Sequence, residues 1–263
     1  MNTQSLIVRT IMLLSLAFFM GMLFINYGSI IGLINGVTIN ELSNNYNNLF
    51  TPAPITFSVW VVIYSGLFMY VIWQLKSVFY KNIAPNVYMV TRKIGILFLL
   101  SCVFNAAWLF AWHYDKLFFS TLIMACLLFT LVEINRRISF ELTATPQYRL
   151  YLKVPFGMYL GWISIAMISN VAAYLTKIEW NGFGLDPRFW QMTMVLFGTL
   201  IACWSVVKLN NVAYGIIVLW ALGGILMVRL ADAIPSFSMN LLVTLCALLV
   251  LFTTLNRTKY WAI

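Results

Sequence analysis

Hydrophobic residues gather along this chain into long runs separated by short polar, basic or proline-bearing breaks. Runs near Ile7 to Tyr27, Ile55 to Leu75, Ile94 to His113, Leu117 to Asn135, Val154 to Leu175, Phe189 to Val207, Val212 to Ala231 and Ser238 to Leu255 are long enough to span a bilayer. A helix needs about 20 apolar residues for that. The breaks are the long stretch Gly28 to Pro54, the basic stretches Lys76 to Lys93 and Arg136 to Lys153, and the turns Tyr114 to Lys116 and Leu209 to Asn211. Hydrocarbon offers no water to strand edges, and the runs are roughly twice the length of a barrel strand. The pattern therefore predicts an all-α polytopic membrane protein of eight transmembrane helices. The first run has one basic residue at its start, Arg9, and no A-x-A-like cleavage site. It reads as a retained helix rather than a cleaved signal peptide.

Composition removes the soluble alternative. Of 263 residues, 62% are hydrophobic and 9% charged, against about 25% charged in soluble domains; the mean hydropathy is +0.90. With a cytoplasmic N-terminus, only Lys116, Lys177, Arg188 and Arg229 of the 16 basic residues fall outside. The positive-inside rule then puts both termini in the cytoplasm, as expected for a bacterial cytoplasmic membrane. The net charge of +9 is explained by this bias and calls for no nucleic-acid partner. Cys102, Cys126, Cys203 and Cys246 all lie in apolar runs without C-x-x-C spacing and read as packing residues.

Acid–base or metal chemistry needs clustered His, Cys, Asp or Glu. The single histidine, His113, stands at the end of the third span and reads as an interfacial residue rather than an axial haem ligand. Arg229 and Asp232, three apart near the end of the seventh span, form a candidate ion pair, structural or on a transport path. No lysine sits mid-span to carry a retinal Schiff base, and there is no phosphate-binding glycine loop.

Ten tryptophans are the compositional oddity. Trp73, Trp112, Trp180, Trp190 and Trp261 fall at expected interfaces, where amphipathic rings collect. Trp60, Trp108, Trp162, Trp204 and Trp220 lie deeper. At about 1.5 Å per residue, Trp60, Trp108 and Asn170 come to a similar level in the outer half of the bilayer, with Asn105 a turn deeper and Trp162 near the midplane. An amide in hydrocarbon needs a partner, so Asn105 and Asn170 either bond neighbouring helices or meet a ligand. The stretch 28–54, with Asn44, Asn45, Asn47 and Asn48, is long enough to act as a lid over such a level.

Three strings carry a family resemblance. "FTPAPITFSVWVVIY" in the second span, "FNAAWLFAW" in the third and "VPFGMYLGWISIAMISNVAAYL" in the fifth resemble, in order, motifs of the tryptophan-rich sensory protein family, TspO/MBR, the bacterial relatives of the mitochondrial translocator protein. The resemblance covers roughly residues 7–175. It implies a five-helix TspO-like bundle over 1–175, with the lid 28–54, followed by three additional helices over 176–263. It also implies an aromatic pocket formed by Trp60, Tyr64, Asn105, Trp108, Trp162 and Asn170 for a planar hydrophobic ligand, a porphyrin, haem-related tetrapyrrole or sterol. On this reading the protein is a receptor-like or sensor-like binder that requires no cofactor, with a bound porphyrin or haem as its ligand and membrane lipids around it. A homodimer is left open. Two alternatives stand beside it. One is a small-molecule or lipid transporter gated by the last three helices. The other is a photo-oxidative porphyrin-degrading enzyme, which the lack of an acid–base or metal set disfavours.

Overall fold

Each hydrophobic run forms a helix. The computed structural model describes residues 3–38, 41–42, 46, 50–79, 83–141, 146–231 and 236–261. Among these the long helices are α1 (Thr3–Ile30), α2 (Val59–Leu75), α3 (Pro85–His113), α4 (Leu117–Glu141), α5 (Val154–Lys177), α6 (Pro187–Leu209), α7 (Val212–Ala231) and α8 (Phe237–Trp261). No strand occurs among the described residues. All eight spans are long and apolar enough to cross a membrane, so the chain is an integral membrane protein. Large apolar side chains such as Phe24, Phe129 and Trp204 stand exposed. On a soluble protein such surface would be a liability; here hydrocarbon is the solvent.

Local sequence sets the helix ends. Proline is at the first position of α3 and of α6, where its missing N–H costs nothing and its fixed φ suits the helix. Asp186 caps α6 by accepting from the Arg188 N–H at 2.7 Å, and Asn210 closes it in the left-handed conformation, φ 46°. Ahead of α5, Arg149–Lys153 winds as a π-helix, with the Val154 N–H bonded to the Arg149 carbonyl. Pro155 explains it. Its ring has no N–H to offer the Tyr151 carbonyl and crowds that oxygen, and a locally wider turn relieves the conflict.

The chain divides into two compact units. The first comprises Met1–Ile39 and Val62–Phe156, and the second Asn40–Val61 and Gly157–Ile263. In the first, α3 packs on both α1 and α4. Its centre is a trio of fully buried rings, Tyr70, Phe98 and Phe156, with centroids 5.1–6.0 Å apart and steep interplanar angles. In the second unit α7 is the central helix, with 61% of its apolar window buried against 28% for α6 and for α8. It also receives the segment leading into α2. The Ala53 N–H donates to the Gly224 carbonyl at 3.0 Å, and the Trp220 indole N–H donates to the Thr56 carbonyl at 2.9 Å.

Gly224 makes this approach feasible, because a Cβ there would run into the Thr56 side chain. Gly224→Ala is expected to lower stability by about 1–3 kcal/mol, the usual cost of overpacking. Adding Thr56→Gly should recover part of the loss, both read as thermal midpoints in detergent.

Candidate functional site

Four aromatic rings meet in the second unit. Pro54 opens a 3₁₀ turn, Pro54–Ser58, that runs into α2, so Phe57 and Trp60, three apart, share one face. Tyr159 and Trp162 are likewise three apart on α5. Trp60 stands edge-on to Trp162 at 6.1 Å and to Tyr159 at 6.0 Å, and Phe57 meets Trp162 at 5.7 Å. These spacings are those of favourable edge-to-face pairs. Trp162 is buried and Trp60 half-buried. Asn170, about two turns further along α5, is buried as well.

In the first unit Tyr64 and Asn105 come together through a residue that sequence reasoning missed, Asn26. The Tyr64 hydroxyl donates to Asn26 Oδ1 at 2.7 Å, and Asn26 Nδ2 donates to Asn105 Oδ1 and to the Met22 carbonyl, each at 2.8 Å. A long contact of 3.5 Å from Asn105 Nδ2 to the Tyr64 oxygen closes the ring. The amide of Asn105 therefore ties α1, α2 and α3 together. The available signal was that Asn26 is the one amide in the first apolar run. Trp108 pairs with Trp112, centroids 6.2 Å apart. His113, expected at the interface, is buried. Its Nδ1 stands 2.9 Å from the Leu109 carbonyl, which puts the ring hydrogen on that nitrogen, and its own carbonyl accepts from Asn35 Nδ2 at 2.8 Å.

The second unit also contains a cavity of about 780 Å³, where α5 ends, α6 begins and α7 ends. None of the six expected site residues lines it. Its walls include Phe50, Glu179, Trp180, Trp190, Gln191 and Arg229. The α5–α6 turn takes left-handed backbone at Glu179, Gly182, Phe183 and Gly184. This folds Trp180 onto Trp190, centroids 4.9 Å apart, while the Trp190 indole N–H donates to the Gly182 carbonyl at 2.9 Å. A Cβ at residue 182 would press on the Trp190 ring at 3.1 Å, so glycine is required there for space as well as for φ. Asp232, the expected partner of Arg229, lies outside the described residues, as do Asn44, Asn45, Asn47 and Asn48 of the expected lid.

Eight helical spans, with aromatic clusters and a tied amide network inside them, define a polytopic helical membrane protein. A family model described as TSPO-like protein matches residues 12–255, and the chain belongs to that family. The matched range extends from α1 into α8. No curated protein and no solved structure matches the chain.

Removing one member of the Asn26–Tyr64–Asn105 ring strands another in a dry interior. Tyr64→Phe and Asn105→Leu are each expected to cost about 0.5–2 kcal/mol, the range for polar ties between membrane helices. In a double-mutant cycle of Tyr64→Phe with Asn26→Leu, measured by denaturation in micelles, the two losses should fall short of adding.

Proposed function

We propose that the protein binds a planar hydrophobic ligand, a tetrapyrrole or sterol-like molecule, on the aromatic cluster of the second unit, acting as a membrane-embedded receptor or sensor rather than as an enzyme. The observation that carries this reading is the meeting of Trp60, Trp162, Phe57 and Tyr159. Indole and phenyl faces suit offset stacking on a flat macrocycle. Membership of the TSPO-like family supports the same reading. Asn170, on the same helix as Trp162, supplies a polar contact for a ring substituent or carboxylate. Tyr64 and Asn105 act on the position of their helices through Asn26, and Trp108 packs on Trp112 beside them. Because Trp162 is buried, a ligand stacks only when the segment carrying Phe57 shifts away from it.

Titration of the detergent-purified protein with protoporphyrin IX, followed by tryptophan quenching and the Soret shift, tests this. Saturable binding is expected, weakened roughly two- to tenfold by Trp60→Leu or Trp162→Leu, as the loss of one aromatic contact predicts. Unchanged affinity in the double variant would remove the site, and quenching equal to that of dye partitioned into empty micelles would remove the ligand.

A further inference from the structure

The cavity at the α5–α6 turn shares no residue with the aromatic cluster and calls for a ligand of its own. We propose that it binds a zwitterionic amphiphile, whose head carries a phosphate and an ammonium group and whose chain runs along the cavity into the hydrocarbon. This inference does not rest on the proposed tetrapyrrole site.

Position gives the amphiphilic character. Ala172 and Leu175 lie on the last turns of α5, and Met194 lies two turns into α6. At about 1.5 Å per residue the cavity reaches on the order of 10 Å inward from the helix ends. Ala172, Leu175 and Met194 give its inner part apolar surface beside Gln191, while Glu179 and Asn181 stand at the turn. The volume of about 780 Å³ falls within the range of small-molecule pockets.

Charge gives the head. The wall carries Glu179, exposed at the mouth, and Arg229, half-buried near the end of α7. A net anion would face Glu179 and a net cation would face Arg229, whereas a head with both signs complements both. The guanidinium suits a phosphate, and its five donors serve more than one acceptor. The indoles of Trp180 and Trp190 add attraction for an ammonium group. The site is built before any ligand arrives, because the Trp190–Gly182 hydrogen bond and the left-handed turn hold both indoles in place.

The test is native mass spectrometry of the full chain, delipidated in maltoside detergent, with lysophosphatidylcholine or lysophosphatidylglycerol of the same chain length. One lysophosphatidylcholine per protein is expected, held at least about threefold more tightly than the glycerol lipid, the scale of one exposed cation–π contact. Glu179→Gln should erase that preference, and Arg229→Gln should weaken both lipids. Should Arg229→Gln fail to fold, Glu179→Gln decides, since that side chain is exposed. Equal or tighter binding of lysophosphatidylglycerol overturns the proposal, as does a Glu179→Gln variant that behaves like the unaltered chain. Glu179→Gln leaves protoporphyrin quenching unchanged, so failure of this site and failure of the aromatic one are read separately.

Discussion

A bilayer interior supplies no water, so each polar group taken into it has to be met by the protein itself. Small hydroxyl residues comply locally. Ser15, Thr91, Thr130, Ser164 and Thr199 each donate to the carbonyl four residues earlier, at 2.7–2.9 Å. They can therefore sit anywhere along a span without recruiting a neighbour. Two asparagines reach across to a neighbouring helix, whereas the buried amide of Gln74 has no hydrogen-bond partner among the described residues. Asn26 serves its own helix and Asn105 together. Asn135 donates both to Leu131 in its own helix and to the Phe156 carbonyl, at 2.9 and 3.0 Å. These amides stand where helices must be registered against one another.

Association between helices in hydrocarbon gains little from hiding apolar surface, because lipid tails are as apolar as leucine. Shape and directed contacts take over. In the first unit three rings interlock at steep angles. In the second, α7 pairs a bare backbone at Gly224 with an indole donor at Trp220, four residues apart on one face, and so grips both sides of the Thr56 turn.

How far this was readable from sequence depends on which force set each feature. The spans were legible because their hydropathy is unbroken, but apolarity marks where hydrocarbon begins rather than where helix does. Thus α3 starts at Pro85, ahead of the apolar run at Ile94, carrying Arg92 and Lys93 on helical backbone. Likewise α4 continues past Asn135, where Glu133 pairs with Arg136 and Arg137 at 2.7 Å. Depth put Trp60 level with Trp108 and Asn170 and left Trp162 nearer the midplane, whereas Trp60 meets Trp162; the cost of a stranded amide marked Asn105 as needing a partner. The identity of that partner was hidden, since Asn26 and Asn105 are 79 residues apart. The cavity was hidden more thoroughly. Trp180 and Trp190 look like two ordinary belt residues, and non-glycine residues in left-handed backbone at Glu179 and Phe183 leave no mark in a hydropathy pattern.

The hydrogen bond from Trp220 to Thr56 spans 164 residues, and that distance sets an order of events during synthesis. At about 5–20 residues per second, the ribosome needs on the order of ten to thirty seconds after making Thr56 before Trp220 exists. Throughout that interval the Thr56 carbonyl and the Ala53 amide have no partner on α7. The aromatic cluster that Phe57 and Trp60 help to form is accordingly among the last parts of the molecule to mature, although its first residues are among the earliest made.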